Sequence, residues 1–185
     1  EGLWTLAELA SVYDAVFAVA GRMGGAAAFR QLVGLFTCAR LANSDPLVVR
    51  AQADNDEGEI TAAFTMGDLL ALTDGFAGLS IQRATVAHEL AHLWDANGLR
   101  GRGTYYLSRL IPTEWVETFP SEYARTTVAL KHVHIEHFAE AVAYALFPNV
   151  IAASPEASEV SGPLHQLFDM AFQGFPRGAL HVAFP

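Results

Sequence analysis

Two histidines and a glutamate carry the chemistry expected of this chain. They stand in Thr85-Val86-Ala87-His88-Glu89-Leu90-Ala91-His92-Leu93-Trp94, a His-Glu-x-x-His motif inside a run that reads as helix. Side chains four residues apart lie one above the other on a helical face, so His88 and His92 can grip one zinc ion together. Glu89 then stands beside the open coordination position, where it can serve as general base toward a zinc-bound water. Val86, Leu90, Ala91, Leu93 and Trp94 flank the motif and describe a helix buried in a core, with one polar face at a cleft. The plainer reading is a chance match on an exposed helix, with two solvated histidines and a salt-bridging Glu. The apolar setting argues against it, because two histidines and a carboxylate buried together need a partner.

A catalytic zinc site needs a third protein ligand, with water in the fourth place. Metzincins supply a His six residues after the second motif His, with a Gly midway; here those positions hold Gly98 and Asp95. The remaining route is a carboxylate on a later helix, the gluzincin arrangement. His134-Ile135-Glu136-His137-Phe138-Ala139-Glu140-Ala141 offers one, with Glu136 and Glu140 on a shared helical face. Glu136 can ligate the metal while Glu140 accepts a hydrogen bond from the second ring nitrogen of a zinc histidine, His88 being the candidate. As a solvated pair the two carboxylates would only repel, and a shared zinc–histidine cluster offsets that repulsion. His132, His134 and His137 crowd the same stretch and stay open as alternative third ligands. His165 and His181 lack ligand spacing and read as structural.

The elements that must position these groups follow from periodicity and turn residues. Trp4, Leu6, Leu9, Val12, Tyr13, Val16 and Phe17 recur at helical spacing, with Thr5 as N-cap, and residues 26–40 read as a second helix. Asn43-Ser44-Asp45-Pro46 signals a turn, after which Leu47–Gln52 and Glu59–Met66 read as strands around a polar turn at 54–58. Asp68–Asp74 fits a strand or a short helix equally well. The motif helix is expected from about Ile81 to Asn97, with Ser80 as N-cap and Gly98 as C′ residue. Residues 122–130 suggest a short helix, 134–147 a clear one ended by Pro148, and Leu164–Phe172 a last one after a Ser/Pro/Glu-rich loop. The fold class is therefore α+β. N-terminal helices and a small mixed or mainly antiparallel sheet precede the motif helix, and the second half is mostly helical.

Composition bounds the rest. With 185 residues, 52% of them hydrophobic and 17% charged, the chain reads as one domain, 1–185, able to build a sizeable core. Mean hydropathy is +0.25, yet no apolar run reaches the roughly 18 residues of a membrane span. A net charge of −9 without a basic cluster speaks against nucleic acid and anionic membranes as partners. Cys38 is the single cysteine, so no internal disulfide is possible, and its apolar neighbours make it a packing residue. The chain starts at Glu1 rather than Met and shows no signal-peptide pattern, as expected of a mature form or an excised domain.

Three segments together, Thr85–Asp95, Pro120-Ser121-Glu122-Tyr123-Ala124 and Glu136-His137-Phe138-Ala139-Glu140-Ala141, resemble the zinc-peptidase domain of the anthrax lethal factor and Pro-Pro endopeptidase family. The likeness covers roughly residues 68–147, and the first third matches only in general layout. It implies a zincin-like fold and one Zn2+ per chain, with His88, His92 and Glu136 as ligands and Glu89 as general base. It also implies Tyr123 as a transition-state donor, a peptide or protein substrate with proline as a suggested component, and secretion. One departure stands out: twelve residues separate Tyr123 from Glu136, where the family has a short connection, and Tyr105 or Tyr106 is the fallback donor. Two other classes compete. A degenerate zincin-like domain would bind partners without cleaving them, and intact Glu89 argues against it. A di-iron carboxylate protein would use Glu89-x-x-His92, but needs a second such pair on a four-helix bundle, and no other Glu has a His three residues later.

Overall fold

Thr5 opens the first helix as the sequence predicts. In the computed structural model, which describes residues 3–54, 61–97, 107–110 and 133–149, α1 spans Leu6–Arg22. Its start is a complete capping box: Glu8 N donates to Thr5 Oγ1 at 3.1 Å, and Thr5 N donates to Glu8 Oε2 at 2.7 Å. Ala15 and Val19 face inward from α1, and Val12 and Val16 lie partly buried beside them.

The expected helix over 26–40 is two elements. Helix α2 covers only Ala26–Leu32, and Thr37–Arg40 is strand β1. Between them Gly34 takes a φ of 86°, a left-handed conformation open to glycine that stops the helix. Asn97, at the far end of the motif helix, caps the same corner by donating from Nδ2 to Val33 O at 2.7 Å.

A larger correction concerns Leu47–Gln52. This stretch is not a strand; Pro46–Asp54 forms helix α3. Leu47 N donates to Asp45 Oδ1 at 2.8 Å, and Val49 N to Asp45 O at 3.0 Å, so Asp45 is the N-cap and Pro46 the first helical residue. Proline has no N–H to satisfy there, and its φ is already helical, which outweighs the β preference of Val48 and Val49.

Strands β2 (Ala63–Met66) and β3 (Leu69–Leu72) settle the ambiguous stretch after residue 68 as strand. They form a hairpin whose first turn residue, Gly67, has a φ of 64°, while no described non-glycine residue has positive φ, the pattern of a type II′ turn. β1 runs parallel to β3, giving a mixed three-stranded sheet in the order β1-β3-β2. Leu70 and Leu72 on the central strand are fully buried and belong to the main core. Thr73 then caps a short 3₁₀ turn, Asp74–Gly78, by accepting from Gly75 N at 3.2 Å.

The motif helix, α4, runs Gln82–Asn97. Its cap position falls on Ile81 rather than Ser80, and Ile81 O accepts from Thr85 N. Gln82 fixes the entry, donating to Phe76 O at 3.0 Å and Ala77 O at 3.2 Å. Helix α5, Val133–Leu146, matches the expected 134–147. α4 is the hub: α1, β2 and α5 all pack on it, and eleven of its residues are buried. Among the described residues this is a small mixed α/β fold, mostly helical, with five α-helices and one three-stranded sheet. No helix among them is long and apolar enough to cross a membrane. The expected helices at 122–130 and 164–172, and Gly98, lie outside the described residues.

Candidate metal centre

The site forms where α4 and α5 meet. The two helices pack on each other, and both bury alanines, Ala84, Ala87 and Ala91 on one, Ala139, Ala141 and Ala143 on the other. Trp94 and Phe138 lock the pair with an edge-to-face ring contact, centroids 5.3 Å apart. The register of that packing aims Glu136 and Glu140 at the histidine face of α4.

Three donor side chains converge there. His88 Nε2 and His92 Nε2 are 3.0 Å apart. Glu136 Oε2 is 3.1 Å from His88 Nε2, and Glu136 Oε1 is 3.4 Å from His92 Nε2. Metal–nitrogen and metal–oxygen bonds of about 2.0–2.2 Å in a tetrahedron place neighbouring ligands about 3.3–3.5 Å apart. The observed triangle is close to that size. Among the described residues, His88, His92 and Glu136 are the one group of three or more His, Cys, Asp or Glu side chains that could hold a metal ion.

Glu140 Oε1 sits 2.8 Å from His88 Nδ1, on the opposite edge of the ring. A carboxylate accepts only, so Nδ1 must carry a proton and donate it. In a neutral ring Nε2 is then a bare lone pair, facing the oxygens of Glu136. Such a face-off is repulsive unless a cation or a second proton lies between. Without a metal the proton takes that place: burial alone would depress the His88 pKa, but hydrogen bonds to Glu136 and Glu140 outweigh it and raise the pKa well above its ordinary value. Burial likewise pushes Glu136 up, and hydrogen bonds from His88 and His92 overcome it and hold the carboxyl well below the usual carboxylate range.

Glu89 follows a different logic. It is buried, 6% exposed, and burial raises its pKa above 4.5 against the opposing pull of His92 and His88. Its Oε2 has no hydrogen-bond partner among the described residues. Thr65 of β2, the strand that packs on α4, opposes that rise more weakly than the histidines do. A buried carboxyl group whose pKa is shifted upward is a candidate proton acceptor.

Other residues singled out in the sequence fall elsewhere. His137 is fully buried in α5, its pKa lowered to about 4 by burial and then by the neighbouring His134. Neither belongs to the donor group, and His132 lies outside the described residues, as do Tyr105, Tyr106, Tyr123, His165 and His181. Asp95, at the position where a metzincin has glycine, is buried and accepts from Ser108 N at 2.9 Å, tying the 3₁₀ turn Leu107–Leu110 to α4. Cys38 packs against the core, and burial pushes its thiol up to about 11, away from nucleophilic chemistry. Thr65 was not legible as a site residue. Its only signal is the two-residue alternation of β2, which puts it on the inner face of the sheet but says nothing of what that face meets.

No protein-family model, no curated protein and no solved structure matches the chain.

Proposed function

We propose that the chain is a zinc-dependent endopeptidase of gluzincin type, with His88, His92 and Glu136 as the metal ligands and Glu89 as general base. The observation that carries this reading is the convergence of His88 Nε2, His92 Nε2 and the two Glu136 oxygens, at 3.0, 3.1 and 3.4 Å, with buried Glu89 the residue next to His88. Two nitrogens and a carboxylate suit zinc, and three ligands leave a fourth position for chemistry, where a structural site would be closed. When bound, zinc supplies Lewis-acid polarisation of a carbonyl and brings a water's pKa toward about 7.

The chain's own residues do the remainder. Glu89 accepts the proton of the attacking water and hands it to the leaving amine. Glu140 keeps His88 in the tautomer that presents Nε2 to the metal. Tyr123, by the family resemblance, donates to the oxyanion. The substrate is proposed to be an extended peptide, with proline among its residues. β2 supports that proposal: it is an edge strand next to Glu89, and its outer side pairs with no other strand among the described residues.

The deciding experiment measures metal content by elemental analysis, then cleavage of a proline-enriched peptide library. About one zinc per chain in the wild type and loss of it in Glu136→Ala are expected, with Glu89→Gln keeping zinc but losing cleavage about 10²–10⁴-fold. Glu89→Gln with full activity removes the general-base role, and zinc without cleavage in the wild type favours a binding domain.

A further inference from the structure

Helix α1 has two apolar faces and buries one of them. Ala15 and Val19 belong to the core, and the helix packs on α4. On the other side Leu6, Tyr13 and Phe17 are 86, 67 and 68% exposed, with Leu9, and Leu3 just before the helix, exposed beside them. The Tyr13 and Phe17 rings stack, centroids 6.0 Å apart and planes 16° from parallel, and so form a preset aromatic shelf. The carboxylates of α1 are drawn away from this stripe. Glu8 is buried against Arg40, and Asp14 pairs with Arg83 of α4 at 3.1 Å, while Arg22 stands in the last turn. Leu6, Ala10, Tyr13 and Phe17 follow at steps of four, three and four residues, the spacing of a seam between two helices. An amphipathic surface helix needs one apolar face for its own core, and the second is surplus to that.

We propose that this stripe pairs with the same stripe of a second copy, giving a two-fold dimer through α1. Charge, spacing and size select that occupant. A two-fold contact sets a patch against its own image, and on a chain of net charge −9 an uncharged patch is where two copies meet without like-charge repulsion. The seam calls for a helix with matching three- and four-residue steps, and α1 is itself such a helix. The two rings and three leucines expose about 500 Å², so a pair of copies buries about 1,000 Å², the lower bound of a specific interface. The dimer is accordingly weak, with a Kd of about 10–100 µM. A stripe without a cation gives an anionic bilayer nothing to hold. The metal centre lies on α4 and α5, outside the stripe, so the proposal stands independently of the peptidase reading.

Sedimentation velocity of the full chain, from about 5 to 500 µM, tests the proposal. It compares wild type with Tyr13→Glu combined with Phe17→Glu, and with Leu35→Glu, which changes an exposed leucine outside α1. Wild type and Leu35→Glu are expected to dimerise as concentration rises, while the α1 double variant stays monomeric with an unchanged urea midpoint. Glutamate is a good helix former and both positions are exposed, so α1 should tolerate it. A second readout removes dependence on that variant. Ala10→Cys in a Cys38→Ala background sets two thiols together at mid-seam, and in a glutathione buffer it should form an intermolecular disulfide at least about tenfold faster than Leu35→Cys does. A wild type that is monomeric throughout overturns the proposal. So does a dimer that survives the α1 double substitution, or equal cross-linking at positions 10 and 35. A monomer that floats with neutral phosphatidylcholine vesicles assigns the stripe to a lipid surface and overturns it too.

Discussion

Glu140 Oε1 lies 2.8 Å from His88 Nδ1, and this contact decides which nitrogen of His88 can bind a metal. Nδ1 is committed as a donor, so Nε2 is the nitrogen left to a metal, and it is the atom that faces both His92 and Glu136. The arrangement spans two helices: α4 provides the imidazoles, and α5 provides both the carboxylate that completes the triangle and the one that orients it.

Replacing Glu140 by Gln should therefore weaken zinc binding without abolishing it. The amide can still accept from Nδ1–H but no longer raises the basicity of the ring, and a loss of about 10–100-fold in affinity is expected. Competition with a chromophoric chelator measures it. An unchanged affinity would place Glu140 outside the ligand network.

Zinc binding should also strengthen as pH rises. A metal at His88 Nε2 must displace the proton that Glu136 and Glu140 favour there, and the pKa of His88 is raised well above 6.5. Proton and metal compete below that raised value, so apparent affinity falls as pH drops. Titrations across the range from about pH 6 to 9 check the slope, which flattens once His88 is neutral without metal. Substituting Glu140 by Gln should move the flattening point to lower pH.

Acid stability has a separate source. Buried Arg40 donates from Nε to Glu8 Oε1 at 3.0 Å and reaches Asp74 Oδ1 at 3.0 Å, joining α1, β1 and the turn after β3. Burial raises the pKa of Glu8, but hydrogen bonds with Thr5 and Arg40 outweigh it and leave the pKa lowered. A lowered folded-state pKa contributes stability present above the ordinary value of 4.5 and lost as pH falls through the folded value. Glu8→Gln should flatten the decline in urea midpoint between about pH 5 and 3 and lower stability at pH 7. An unaltered pH dependence would show that this network does not govern the acid limb.

Trp94→Ala should cost about 3–5 kcal/mol, because a fully buried ring is lost between α4 and α5. Since those helices carry all three donors, zinc affinity should drop together with the urea midpoint. Stability lost without any change in metal binding would mean that the helices are held in register by other contacts.

Tyr123→Phe tests the most distant of the family expectations. If Tyr123 donates to the oxyanion, kcat falls about 10²–10³-fold with zinc binding intact. A kcat within twofold of wild type would transfer the role to Tyr105 or Tyr106, which the same substitution can test in turn.

Local periodicity determined much of this site before any fold was known. A helix sets side chains four residues apart on one face, so His88 and His92 had to be neighbours once residues 82–97 were helical, as did Glu136 and Glu140 on α5. The α1 cap was equally readable, because Thr5 and Glu8 satisfy each other within one turn. Tertiary structure decided what local rules leave open. Strand identity depends on partners distant in sequence: Thr37–Arg40 is a strand because it pairs with Leu69–Leu72, and Leu47–Gln52 is helical where its valines alone suggested a strand. The joining of Glu136 to the histidine pair is a matter of helix–helix register, which no pattern within either helix specifies. The packing of β2 on α4 joins an edge strand to the hub helix, and only the packed chain brings them together.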